Sequence, residues 1–167
     1  MTEIRALTEA DIDAVAAVHV RAWQTAYAGL IPDDYLGALD PAALAARRRS
    51  GSHPGQTVVA VDDGTIVGFA SFGRYRDDPA SGTGELYAIY VDPDRTGRGV
   101  GRLLLAAAKE GLTAAGFPAV RLWVLEENHR ARRFYERAGL RPDGARQNYT
   151  PRGTTIEVPE VRYATDL

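Results

Sequence analysis

The sequence predicts an α/β (α+β) fold, with a central mixed, mostly antiparallel β-sheet flanked by about four helices. Three observations lead there. Elements read off the chain follow the order β-α-α-β-β-β-α-β-α-β-β. Residues 85–91 (Glu-Leu-Tyr-Ala-Ile-Tyr-Val) are apolar on both alternating faces, as a strand covered on both sides should be. Two later helical stripes, each closed by a glycine, flank the strand at residues 120–125. With no internal repeat and no linker, residues 1–167 are expected to form one domain.

Taken in order, residues 4–7 form a short strand, and Thr8 with Asp11 three positions on marks a helix start. Ile12, Val15, Ala16, His19 and Trp23 recur at helical spacing until Gly29 and Pro32. Asp40-Pro41 starts a second helix that runs into Arg47, Arg48 and Arg49. The period then changes: residues 57–61 and 66–72 are β-rich and separated by Asp62-Asp63-Gly64-Thr65, a hairpin. A Pro/Gly/Ser loop at 77–84 leads into the central strand, which Asp92-Pro93 stops. Val100, Leu104, Ala107, Ala108, Leu112 and Ala115 make a stripe that packs on the sheet. Asn128 caps the next helix, carried by Ala131, Phe134, Tyr135 and Ala138. From Leu140 the tail reads as two strands around a turn-rich stretch at 147–155.

Composition removes several functions. Hydrophobic residues make up 45% of the chain, enough for a sizeable core. The formal net charge of -2 gives no global basic field, so no nucleic-acid partner is expected. The absence of cysteine removes disulfides, thiolate metal sites and cysteine nucleophiles. His19, His53 and His129 lack ligand spacing, so no metal is assigned. Neither a signal peptide nor an apolar run of about 20 residues is present, and a cytoplasmic protein without a membrane partner is expected.

Thr96-Gly97-Arg98-Gly99-Val100-Gly101-Arg102 joins the central strand to an amphipathic helix. Such a turn lets backbone N–H groups approach an anion, and the helix start adds about half a positive charge. A phosphate or pyrophosphate suits it. A Walker loop is excluded because Arg102-Leu103 follows Gly101 where Lys-Ser or Lys-Thr is required. A dinucleotide fold is disfavoured by the G-x-G-x-G spacing and by the lack of an acid within the next strand.

At these residues the chain resembles the GCN5-related N-acetyltransferase (GNAT) family. Gly99 and Gly101 match the glycines of that family's Gln/Arg-x-x-Gly-x-Gly/Ala loop, with Thr96 departing from it at the Gln/Arg position. Residues 128–140, from Asn128 through Phe134-Tyr135-Glu136 to Gly139-Leu140, resemble its later helix. The resemblance implies a GNAT-like acyltransferase domain that takes acetyl-CoA (coenzyme A) along strand 85–91, with a backbone N–H near Tyr90 or Val91 facing the thioester oxygen. It also implies that Tyr135 protonates the departing sulfur and that Asn128 hydrogen-bonds the cofactor. A core aromatic and a plain helix cap are the alternatives for those two.

Acetyl transfer needs a base, a polarised carbonyl and a proton for the thiolate. Glu85, at the mouth of the central strand, is the candidate base, with Glu157 or Glu160 able to replace it. Trp23, Tyr27 and Tyr35 lie where relatives form the acceptor wall. Arg130, Arg133 and Arg137 share a helix face that is either simply solvated or, through Arg130 and Arg133, placed to meet the CoA 3′-phosphate. The expected reaction is direct transfer to a primary amine of a small-molecule or peptide acceptor; a non-catalytic acyl-CoA-binding module is the alternative. Pairing of two copies into a homodimer through the late strands is neither required nor forbidden by the sequence.

Overall fold

The computed structural model describes residues 1–167. Its sheet has seven strands in the order β1-β2-β3-β4-β5-β7-β6. The strands are β1 (Glu3–Ala6), β2 (Gln56–Asp62), β3 (Thr65–Arg74), β4 (Gly84–Val91), β5 (Ala119–Leu125), β6 (Arg141–Tyr149) and β7 (Val158–Asp166). The helices are α1 (Ile12–Ala26), α2 (Asp33–Gly37), α3 (Pro41–Arg49), α4 (Val100–Ala114) and α5 (His129–Arg137). All neighbouring strands run antiparallel except β4 and β5.

Cap chemistry at the helix starts follows the sequence. A short 3₁₀ turn precedes α1, and the Asp11 carboxylate accepts from both the Thr8 N–H and its hydroxyl at 2.8 Å. Asp40 accepts from the Ala42 N–H at 2.9 Å, with Pro41 in the first turn of α3. Two expectations need correcting. The segment expected to break after the first helix contains α2, five residues long and too short to show a period of its own. The stretch read as turn-rich from Gln147 instead continues β6 to Tyr149, because Gln147 and Tyr149 pair with Glu160 and Val158.

The main core lies between the sheet and α4 and α5: Leu104, Leu105, Ala108 and Leu112 pack with Phe72, Leu86, Leu122, Tyr135 and Tyr163. On the other face, Val15 and Val18 of α1 cover Val59 and Phe69. The helices thus sandwich the sheet. A β-bulge between Ser71 and Phe72 changes the register against β4, so Leu86 belongs to the α4 face while Ala88 and Tyr90 belong to the α1 face.

What positions the site is the parallel pair. Registered pairing of β4 with β5 is confined to Gly84 with Val120 and Glu85 with Arg121. Beyond those residues the two strands part, and the rest of β4 has no neighbour on that side. A wedge-shaped cleft therefore opens in the middle of the sheet, towards the C-terminal end of β4 and the start of α4.

Candidate active site

Unpartnered backbone donors line one wall of the cleft. Asp92 N–H donates to Val67 O at 2.8 Å, and amides alternate sides along a strand, so those of Val91 and Ile89 point away from β3 into the opening. The same alternation turns the Tyr90 amide towards Phe69, its register partner. Of the two expected backbone donors, Val91 has the cleft-facing amide, and Ile89 joins it; Tyr90 enters the site through its side chain instead. This alternation depends on the bulge-shifted register and has no signature in the sequence.

Where β4 ends, the chain turns through Thr96, Gly97 and Arg98 into α4. Gly97 (φ 78°) and Gly99 (φ 84°) both adopt left-handed backbone, which side chains resist. The first helical hydrogen bond in this stretch is Leu103 N–H to Gly99 O at 3.1 Å. The amides from Thr96 to Arg102, including those of Gly97, Arg98, Gly99, Val100 and Gly101, have no backbone acceptor. This row of donors at a helix start suits a diphosphate. Gly101 approaches the Phe134 ring so closely that an added Cβ would sit 3.4 Å from it, which docks α5 against the start of α4. Arg98, Arg102, Arg130 and Arg133 are exposed on these two helices and the loop before them, with no carboxylate partner.

Phenols and an indole meet in the cleft. The Tyr27 and Tyr90 hydroxyls lie 3.3 Å apart, Trp23 packs edge-on against Tyr27, Tyr90 and Tyr149, and His19 stacks on Tyr90 at 5.2 Å. Tyr35 belongs to the same cluster, at the side of Ile31 and Leu36. Tyr149, near the end of β6, escaped sequence reading because the segment resembled a turn. Trp23 Nε1 is the only buried side-chain polar atom without a well-formed hydrogen bond; the nearest acceptor, the Tyr90 hydroxyl, it meets only in poor geometry. A donor left so poorly matched gains from a better-placed acceptor, which a bound oxygen would supply.

Tyr135 reaches this cluster from the α5 side. It is buried, and burial, followed by the neighbouring Tyr90, raises its pKa above the usual phenol range. Its hydroxyl makes no protein hydrogen bond and yet is not sealed in. It is therefore a protonated O–H that no protein acceptor occupies. Asn128 Oδ1 accepts from the Ala131 N–H at 3.2 Å, the cap interaction.

Among the carboxylates, Glu85 does not stand at an open strand mouth: its side chain is only 2% exposed. It accepts from the Arg76 N–H at 2.9 Å and from Arg76 Nη2 at 2.8 Å, a structural ion pair. Glu157 is exposed and lies before β7. Glu160 differs from both. It is 9% exposed, its Oε1 accepts from Gln147 Nε2 at 2.6 Å, no cation pairs with it, and burial raises its pKa above the ordinary 4.5. Its charge is felt by Tyr90 and Tyr149, which places it on the rim of the phenol cluster.

Free amides on a parted parallel strand and a glycine turn into a helix coincide with a match to the acetyltransferase (GNAT) family model over residues 18–140. The chain belongs to that family. It is 40% identical over 128 residues to the uncharacterized N-acetyltransferase YuaI of Bacillus subtilis (strain 168), which covers 77% of this chain and 74% of the relative. Mycothiol acetyltransferase from Acidimicrobium ferrooxidans is 37% identical over 97 residues, 58% of this chain but only 31% of that larger protein. The crystal structure of PaiA N-acetyltransferase from Thermoplasma acidophilum in complex with coenzyme A shares the fold, with a TM-score of 0.74 at 21% identity, over 100% of this chain and 99% of that one. The family match makes this chain a GNAT acetyltransferase. No helix is long and apolar enough to cross a membrane.

Proposed function

We propose that the chain, acting as a single domain, transfers the acetyl group of acetyl-CoA directly to a primary amine while both substrates are bound. The observation that carries this reading is the β4–β5 cleft with its free backbone amides, beside the phenol cluster of Tyr27 and Tyr90 that the partnerless Tyr135 adjoins. Its residues fit the donor: a diphosphate suits the amides of residues 96–102, and Arg98, Arg102, Arg130 and Arg133 supply charge for the remaining phosphate. Acetyl-CoA brings the activated thioester. The Val91 amide is the donor for the thioester oxygen, where negative charge grows as the amine attacks.

Glu160 takes the proton from the acceptor ammonium, directly or through a water, so that a neutral amine attacks. Its raised pKa moves it towards the range where a carboxylate base works well at neutral pH. As the C–N bond forms and the C–S bond breaks, Tyr135 gives its proton to the departing sulfur, and the surplus proton left on the acylated nitrogen passes, directly or through water, to the Tyr135 oxygen. With no cysteine in the chain, the acetyl group does not pass through an enzyme thioester. Trp23, Tyr27 and Tyr35, together with Tyr149, form the acceptor wall.

An acetyl-CoA consumption assay with a panel of primary amines tests the transfer. Tyr135→Phe is expected to lower kcat by roughly 100-fold or more, the usual worth of a positioned acid, with CoA affinity nearly unchanged. Equal rates for the two proteins would remove Tyr135 from the acid role. CoA binding without turnover of any amine would make the chain an acyl-CoA-binding module instead.

A further inference from the structure

Most arginines on the α1–α3 side of the sheet are committed to acids: Arg5 to Asp11, Arg21 to Asp92 and Asp94, Arg49 to Asp13, and Arg76 to Glu85. Arg47 and Arg48 are not. Arg48 is half-buried, yet its guanidinium makes one hydrogen bond, to Thr57 Oγ1 at 3.2 Å, and otherwise lies over the Phe69 ring at 5.3 Å. A half-buried cation with most of its donors unused is unusual, since arginines taken out of water are normally paired.

Its position ties it to the cleft. Phe69, beneath Arg48, touches the Tyr90 ring at 5.7 Å and the His19 ring at 6.0 Å, and His19 stacks on Tyr90, whose hydroxyl meets that of Tyr27. A continuous run of aromatic contacts therefore links Arg48, through the buried Phe69, to the phenol cluster that Glu160 borders. The positive charge reaches along that run: Arg47 lowers the pKa of Tyr149 against the upward effect of burial, and Arg47 and Arg48 add to burial in holding His19 at about 4.

Resting on the transfer reading above, we propose that the acceptor is a small amine that also carries an anionic group, a carboxylate or a phosphate. The anion sits against Arg48 and Arg47 while the amine points towards Glu160. A guanidinium fork suits either anion, and the exposed Arg47 adds charge at the entrance. Two opposite charges on either side of one aromatic cluster fix the acceptor's orientation as well as its affinity.

Matched acceptors at saturating acetyl-CoA test this: amino acids beside the amines that lack their carboxylate, and O-phosphoethanolamine beside ethanolamine. The anionic member of at least one series is expected to show the higher kcat/KM, by roughly 10- to 100-fold, the worth of a charge-assisted hydrogen bond. The responding series tells carboxylate from phosphate. Arg48→Gln is expected to raise KM for the anionic member by a similar factor, leaving kcat, CoA affinity and the neutral member's kinetics near those of the parent. If Arg48→Gln folds poorly without its contact on Phe69, Arg47→Gln and Arg48→Lys are expected to show the same KM-only effect more weakly. Preference for the neutral members, or equal losses on both, overturns the inference while leaving the transfer reading intact. Turnover of neither class by CoA-binding protein overturns both.

Discussion

Glu85 and Glu160 show how a single partner decides what a carboxylate can do. Each is at least nine-tenths buried, but Glu85 faces the Arg76 guanidinium whereas Glu160 has only the Gln147 amide. A carboxylate whose pKa is raised in the folded state binds its proton more tightly there than in the unfolded chain. Its contribution to stability is therefore complete below the ordinary value of 4.5 and is lost as pH rises through the folded value. At neutral pH the ionised Glu160 weakens the fold, so Glu160→Gln is expected to raise Tm while lowering kcat by roughly 100-fold and removing the acidic limb of the pH–rate profile. Glu85→Gln, which strips Arg76 of its charge partner, is expected instead to destabilise by about 2 kcal/mol. Thermal melts and pH–rate profiles of the two variants check the assignment, and a parent-like acidic limb in Glu160→Gln would refute it. Sequence showed the carboxylates but not this difference, because Arg76 lies between the end of β3 and the Pro/Gly/Ser loop, where nothing hints at the way its side chain folds back.

At the scale of elements, the turn into α4 was the most legible feature of the chain. Its glycines are not equivalent: backbone conformation demands Gly99, whereas neither backbone nor packing demands Gly101. Gly99 needs its φ of 84°, whereas at Gly101 an added Cβ would stand 3.4 Å from the Phe134 ring, an ordinary contact distance. Gly99→Ala is therefore expected to cost about 1–2 kcal/mol in stability and to weaken CoA binding by roughly 10-fold, by re-aiming the amides beside it. Gly101→Ala is expected to stay close to the parent in both. Melting curves and CoA titrations of the pair check this; a reversed order would mean that packing against α5, not backbone conformation, governs the loop. Less legible were α2, with its single turn and a half, and the end of β6, where the polar Gln147-Asn148 reads as turn although it pairs with β7. The apolar pattern that betrays a core strand is absent there because β6 lies at the sheet edge.

For the whole molecule, element order and the two covered faces of the sheet were readable from hydrophobic periodicity, since burial on α4 and α1 imposes it. The parting of β4 from β5 was not, because it is an absence of pairing between two strands that are each apolar and well formed. That gap frees the Val91 and Ile89 amides and opens towards the free amides of residues 96–102; in the proposed reading it is the donor site, which Tyr135 and Glu160 serve. Calorimetric titration of CoA into the folded protein tests it most directly. Saturable binding of one CoA per chain is expected, with a Kd in the micromolar range or tighter, about -7 kcal/mol or better. Well-folded protein that takes up no CoA would contradict the cleft as a donor site.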